Sequence, residues 1–171
     1  MQIAGEYQHK PPLPFIPGSE AAGIVKDLGP NVRGFEIGDR VMAYPGIGAM
    51  AEQVCVPLNR LKKIPENMSF KNASGFPMVY TTSYYALKQR SDLKPREKLL
   101  ILGASGGLGF TAVELGKLMG AEVIAAASSE EKLQFAKKAG ADYLVNYSDG
   151  DLKTKIKELT NGKGADVIFD P

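Results

Sequence analysis

A glycine-rich turn between an apolar run and a helical pattern constrains this chain more than any other stretch. Residues 98–109 read KLLILGASGGLG, with an apolar run at 99–102 and a helical pattern from about Gly106. A strand, a tight glycine turn and a helix in this order can hold a dinucleotide pyrophosphate. The first amides of a helix have no partners inside it, and the helix dipole attracts an anion. The stretch therefore predicts a dinucleotide-binding unit.

The turn fits the dinucleotide fingerprint with alanine in its first position. Ala104-x-Gly106-x-x-Gly109 matches G-x-G-x-x-G in this form, and the stretch from Gly103 also matches G-x-x-x-G-x-G. The preceding strand and the following helix supply the context that the motif requires. The alternative is a glycine-rich turn that binds nothing. We expect the pyrophosphate to approach at the glycines and Leu108 to pack in the core; the cofactor-binding candidates here are Ala104, Ser105, Gly106, Gly107, Leu108 and Gly109.

Strands and helices alternate after this turn. We expect strands at 98–102, 122–127, 143–147 and 166–170. The helices between them are expected at 106–119, from the cap Ser129 to residue 139, and at 151–160. Elements of this length in this order indicate βαβ units and a parallel sheet, so the fold class is α/β and residues 91–171 form the first half of a doubly wound domain.

The first half of the chain has a different pattern. Short apolar or alternating runs at 20–28, 40–44 and 50–56 are separated by glycine and proline turns, which is typical of part of a small β-barrel. A short helix follows the cap Ser69, Pro77 interrupts it, and a longer helix is expected at 79–89. We therefore place one domain, with its connecting helix, at residues 1–90.

Composition excludes several classes of function. The formal net charge of +2 comes without a dense basic run, which argues against nucleic acid as a partner. The single cysteine, Cys55, excludes an internal disulfide and is expected to be a buried strand residue. Cysteine usage favours a reducing compartment, so we expect a cytoplasmic protein. No apolar stretch is long enough to span a bilayer, and no signal peptide is recognised.

Several segments, in order, resemble one family. They are KPPLPFIPGSEAAGIV at 10–25, GDRV at 38–41, IPENMSF at 64–70, YTTSYYALK at 80–88, ILGASGGLG at 101–109, ASSEEK at 127–132 and VNYSDGDL at 145–152. The set is similar to the zinc-independent quinone oxidoreductases of the medium-chain dehydrogenase/reductase superfamily. The resemblance implies a partial chaperonin-10-like β-barrel, a partial Rossmann domain that binds NADPH, and an active site in the cleft between them. It also implies hydride transfer to quinones or similar conjugated carbonyls and, for the full-length protein, a homodimer.

The chain departs from the zinc-dependent relatives of that family. Where those carry Gly-His-Glu, this chain reads Gly18-Ser19-Glu20, and a serine hydroxyl is a poor zinc ligand. We therefore expect no metal site. The family's proteins begin several strands earlier and continue further, so the chain is expected to be a central fragment that is inactive alone.

The preference for NADPH is expected at the end of the second strand of the Rossmann unit. An NAD-binding site carries an acid there, whereas this chain reads Ala125-Ala126-Ala127 followed by Ser128. Ser128 can donate a hydrogen bond to a 2′-phosphate and Lys132 can supply charge, while Tyr147 matches the tyrosine that closes over this phosphate in the family. Lys132 can equally be a solvated helix residue.

Two residues are candidates for the substrate cleft. Thr82 lies in the segment that resembles the helix behind the nicotinamide ring, and Tyr7 is placed to stack on a flat substrate. Thr82 is equally well explained as an ordinary exposed or core threonine of a helix, and simple packing explains Tyr7 at least as well. No general acid is identified, and the proton that follows the hydride can come from water. The alternatives to quinone reduction are an enone or enoyl-thioester reductase and a non-catalytic NADPH-binding protein.

Overall fold

The computed structural model describes residues 3–8 and 10–171. The chain divides into two compact units, the first ending at Met78 and the second comprising Val79–Pro171. The division falls earlier in the chain than position 90. Among the described residues, no helix has the length and apolar character needed to cross a membrane.

The first unit contains a three-stranded antiparallel sheet. Its strands are β1 (Ala21–Ile24), β2 (Arg40–Ala43) and β3 (Leu61–Lys63). The central strand β2 pairs with both neighbours, with Gly23 opposite Val41 and Val41 opposite Lys63. Val41 and Ala43 are buried on one face, as the alternation predicts.

The expected strand at 50–56 is wrong. This segment forms no strand and instead follows a turn in which the amides of Gly48 and Met50 donate to the carbonyls of Ile16 and Pro17, at 2.8 and 2.9 Å. Cys55 is exposed, so the expectation of a buried strand cysteine is also wrong. Apolar alternation alone does not supply the neighbouring strand that burial requires.

The connecting segment is helical. α1 (Phe70–Ala73) begins after Ser69, whose hydroxyl accepts from the Asn72 amide as expected of a cap. α2 (Phe76–Tyr84) continues as a π-helix at Tyr85–Arg90. Pro77 lies in the first turn of α2 and does not break it, because the missing N–H of proline costs nothing there.

The second unit is a parallel sheet with helices between its strands. The strands are β4 (Lys98–Ile101), β5 (Glu122–Ala127), β6 (Tyr143–Asn146) and β7 (Val167–Phe169). The helices are α3 (Gly107–Leu118), α4 (Glu130–Lys138) and α5 (Leu152–Leu159). The strand order β6-β5-β4-β7 is that of a Rossmann half-sheet with one further strand. It confirms the predicted α/β fold.

The core of this unit is concentrated at β4 and β5. Both strands lie between neighbours, and Leu99, Ile101, Val123 and Ile124 are fully buried. Such continuous apolar runs are what a parallel strand covered on both faces requires. The carboxyl ends of β4 and β5 are thereby held rigidly side by side.

Candidate dinucleotide-binding site

The glycine turn joins β4 to α3 in a fixed conformation. Gly103 has φ +55, a backbone conformation that favours glycine. Ala104 is fully buried, and its amide donates to the Ala126 carbonyl at 3.1 Å. The Gly106 amide donates to the Gly103 carbonyl at 2.9 Å. The bond to Ala126 fixes the turn to the end of β5, and the bond to Gly103 closes the turn on itself.

Gly109 has a packing role in this turn. A Cβ atom added there would lie 2.3 Å from the Gly103 carbonyl oxygen and 2.8 Å from the Ala104 Cα. Both are backbone atoms, so no side chain could move to make room. In the dinucleotide fingerprint the third glycine has this role of close packing. Leu108, beside it, is half-buried against the core cluster of the second unit.

The first turn of α3 has no side chain to cap it. Its N-cap is Gly106, in an extended conformation, and no side chain bonds to the helix start. The Phe110 amide is the first to bond back, to the Gly106 carbonyl at 2.8 Å. The amides of Gly107, Leu108 and Gly109 are therefore the donors that a helix start leaves for an outside acceptor. No acidic residue lies in this turn to oppose an anion.

The helices α1, α4 and α5 begin differently. Their N-cap side chains, Ser69, Ser129 and Asp151, each accept a hydrogen bond from an amide of the first turn. Ser129 is therefore a helix cap, as expected. Of the helix starts whose caps are described, that of α3 has the right chemistry for an anionic ligand.

Two of the predicted phosphate contacts meet at the end of β5. Lys132 Nζ lies 2.9 Å from Ser128 Oγ, so the structure brings the proposed charge and the proposed hydroxyl donor together. No carboxylate occurs in the last residues of β5, which are the buried alanines 125–127. An acid there would repel a 2′-phosphate.

Tyr147 follows the neighbouring strand. Ala127 of β5 is in register with Asn146 of β6, so Ser128 and Tyr147 are the next residues on two adjacent parallel strands. The Tyr147 side chain is 39% exposed and accessible to a ligand. The structure places it at the same sheet edge as Ser128.

Sequence reasoning missed two residues at this edge. Ser148 Oγ donates to the Ser128 carbonyl at 3.0 Å, which ties the turn after β6 to the end of β5. Lys155 Nζ donates to the Asn146 carbonyl at 2.8 Å and adds a second cation there. Lys155 lies a full turn into α5, and only the folded chain brings it back to β6.

The substrate-cleft candidates lie in different units. Tyr7 is half-exposed in a turn of the first unit, and Thr82 is exposed on the part of α2 that belongs to the second unit. Both side chains are accessible. Their roles stay predictions.

The donor set around Ser19 does not fit a zinc site. Ser19 Oγ donates to the Gly46 carbonyl at 3.1 Å, and a Glu20 carboxylate oxygen accepts from the Met78 amide at 2.6 Å. Over residues 3–8 and 10–171, the structure contains no group of three or more His, Cys, Asp or Glu side chains able to hold a metal. His9 lies outside the described residues.

Two family models match the chain, one on each half. The alcohol dehydrogenase GroES-like domain matches residues 1–66, and the zinc-binding dehydrogenase model matches residues 107–171. A quinone oxidoreductase-like protein 2 homolog from Nematostella vectensis is 40% identical over 99% of this chain and 47% of the relative. The chain therefore carries both of these domains and resembles the quinone oxidoreductase-like proteins over nearly its whole length.

Further relatives agree with this resemblance. The Escherichia coli quinone oxidoreductase solved with NADPH superposes with a TM-score of 0.89 at 35% identity, over 95% of this chain and 50% of that one. A 2-haloacrylate reductase from a Burkholderia species is 36% identical over 92% of this chain and 48% of the relative. The chain thus spans about half the length of these family members.

Proposed function

We propose that this protein binds NADPH and uses it to reduce quinones or similar conjugated carbonyls. The observation that carries the proposal is the Ser128–Lys132 pair at an acid-free strand end, beside the uncapped start of α3. The two features match the two anionic groups of NADPH, its 2′-phosphate and its pyrophosphate. The NADPH complex of the Escherichia coli neighbour supports the same cofactor.

The glycine turn and the ends of β5 and β6 would hold two different anionic groups of the cofactor. The amides of Gly107, Leu108 and Gly109 would donate to the pyrophosphate, supported by the helix dipole. Ser128 and Lys132 would bind the 2′-phosphate, and Tyr147 would cover it. Bound NADPH supplies the hydride, and the protein supplies binding and orientation. Thr82 and Tyr7 remain the candidates for orienting the nicotinamide and the substrate.

We propose that catalysis needs no zinc. The support is chemical: a serine stands where zinc-dependent relatives carry histidine, and both Ser19 and Glu20 are engaged by backbone groups. The cytoplasmic location and the homodimer also belong to this proposal as expectations of the family. Measuring bound zinc and NADPH oxidation after chelation tests the metal claim, since activity that disappears with zinc would contradict it.

Calorimetric titration with NADPH and NADH tests the cofactor assignment. We expect micromolar binding of NADPH and at least about tenfold weaker binding of NADH, which corresponds to about 1.4 kcal/mol. Lys132→Gln should remove most of this difference by weakening NADPH alone. Lys138→Gln, in the last turn of the same helix α4, is the matched control and should change neither affinity. An equal preference for both cofactors in the wild type would contradict the assignment.

A reductase of activated carbon–carbon double bonds is the second candidate. The similarity to a 2-haloacrylate reductase favours this candidate, because a 2-haloacrylate is an α,β-unsaturated carboxylate rather than a quinone. Following NADPH oxidation with a benzoquinone, an enone and 2-chloroacrylate in parallel separates the two candidates. Fold alone does not decide between them.

A further inference from the structure

Two buried hydroxyl groups tie α2 to the first turn of α3. Ser83 is fully buried and Thr111 is 4% exposed, and their oxygens lie 2.9 Å apart. Ser83 Oγ lies 3.1 Å from the Leu108 carbonyl oxygen. Thr111 Oγ1 lies 3.1 Å from the carbonyl oxygens of both Gly107 and Leu108. The binding scheme described above uses neither hydroxyl.

These contacts fall on the peptide groups that would face the pyrophosphate. The Gly107 carbonyl shares a peptide group with the Leu108 amide, and the Leu108 carbonyl shares one with the Gly109 amide. A hydroxyl that donates to a carbonyl polarises the peptide group and makes its N–H a stronger donor. The hydroxyl pair therefore acts on two of the amides left for an anionic ligand.

The two hydroxyls depend on each other. Each carries one proton, so the pair forms a short chain of hydrogen bonds rather than all the contacts at once. The other acceptor within reach of Thr111 Oγ1 is the Val79 carbonyl of α2, at 3.3 Å. Removing either hydroxyl leaves the other with fewer partners in a buried place, where an unmade hydrogen bond is costly.

The same contact region sets α2 against α3. A Cβ atom on Gly107 would lie 3.3 Å from Val79 Cγ1, so the two helices approach closely at this turn. One turn further along, the Tyr80 hydroxyl donates to the Glu114 carboxylate. Thr82, the candidate contact for the nicotinamide, lies on α2 between these tethered residues. The Ser83–Thr111 hydrogen bonds thus hold two candidate cofactor contacts, Thr82 and the first turn of α3, in place relative to each other.

We propose that Ser83 and Thr111 are positioning residues for the cofactor, holding the first turn of α3 in the geometry that binds the pyrophosphate. The inference rests on the proposed function. The buried pair therefore contributes to affinity for the pyrophosphate of NADPH and not to affinity for its 2′-phosphate.

The test compares Thr111→Val with Thr111→Ser. Valine keeps the shape and removes the hydroxyl, while serine keeps the hydroxyl. Calorimetric titration uses two ligands, NADPH and adenosine 2′-monophosphate, which carries the 2′-phosphate and lacks the pyrophosphate. We expect Thr111→Val to bind NADPH about five- to tenfold more weakly, as expected for one lost hydrogen bond, and adenosine 2′-monophosphate as the wild type does. Thr111→Ser should bind both ligands as the wild type does.

Ser83→Ala provides a second variant and should reproduce the selective loss. Unchanged NADPH affinity in both Thr111→Val and Ser83→Ala would overturn the inference. An equal loss for both ligands would also overturn it, because it would reveal a general structural role. If the wild-type protein binds no NADPH, the proposed function itself is wrong. If the wild type binds NADPH but the variants show no selective loss, only the positioning role of Ser83 and Thr111 is wrong.

Discussion

The helices α3 and α4 begin at neighbouring strand ends of one sheet, yet their first turns are built in opposite ways. α3 starts at Gly106 without a capping side chain, whereas Ser129 caps α4 by accepting from the Lys132 amide. α4 also carries Glu130 and Glu131 in its first turn, and α3 carries no acid there. One start is satisfied internally and the other is open to an anion.

Under the proposed function, this difference assigns the pyrophosphate and the 2′-phosphate of NADPH to different helix starts. At α3 the backbone itself is the donor, which requires glycine at the turn. At α4 the backbone is occupied, and the side chains of Ser128 and Lys132 provide the polar groups instead. In the proposed binding mode, local capping chemistry therefore decides which helix start binds through its amides and which binds through side chains.

The largest effect is expected from Gly109→Ala. The new Cβ would lie 2.3 Å from the Gly103 carbonyl oxygen, so the turn must open. We expect unfolding free energy to fall by about 3 kcal/mol, at the upper end of overpacking costs, with loss of NADPH binding. Urea denaturation measures the first effect and calorimetry the second.

Gly106→Ala is the matched control for that substitution. Its Cβ would lie 3.4 Å from the same carbonyl oxygen, an ordinary contact, and Gly106 has φ −73. Its stability should stay close to that of the wild type. Equal destabilisation by both substitutions would show that the turn does not depend on the close approach at Gly109.

A smaller effect is expected when the cap of α4 is removed. Ser129→Ala loses the hydrogen bond from the Lys132 amide, which should cost about 1 kcal/mol of stability. NADPH affinity should change little, because the Ser129 hydroxyl serves the helix. Ser129→Thr, which keeps a capping hydroxyl, should retain the stability of the wild type. A large loss of NADPH affinity in Ser129→Ala, with stability intact, would instead make Ser129 a ligand.

The smallest effect concerns alkaline pH and the tether between α2 and α3. Burial, followed by the hydrogen bond to Glu114, raises the pKa of Tyr80 from 10.0 to about 12. The folded protein therefore retains this proton where the unfolded chain loses it, so the contribution to stability is full below pH 10 and declines as the pH rises towards 12. Tyr80→Phe should show a shallower loss of stability over that window in urea denaturation. If stability falls with pH as steeply in Tyr80→Phe as in the wild type, Tyr80 is not the source of the alkaline loss of stability.

Local patterns predicted the Rossmann half of the chain well. The strand–helix alternation and the cap Ser129 are set by residues near one another in sequence, and the structure contains both. Burial of Cys55 was predicted wrongly, because a strand needs a pairing partner that local alternation does not specify.

The supporting contacts of the site could not be found from local patterns. Ser83 and Thr111 are 28 positions apart, and Ser148 lies 20 positions from the carbonyl that it contacts. Each looks like an ordinary polar residue of a helix or loop until the fold brings its partner close. Lys132 differs, since it lies in the first turn of α4 and only four positions after Ser128, which precedes the cap of that helix.

If the uncapped start of α3 binds the pyrophosphate of NADPH, Gly106→Asp should block that binding. The aspartate would cap the helix and place a negative charge at the anion site, at a position whose backbone conformation suits any residue. Calorimetric titration with NADPH should show a loss of affinity of more than about tenfold with stability retained or raised, and Gly106→Asn, which caps without charge, should lose less. If folded Gly106→Asp binds NADPH as tightly as the wild type does, the pyrophosphate does not bind at the start of α3.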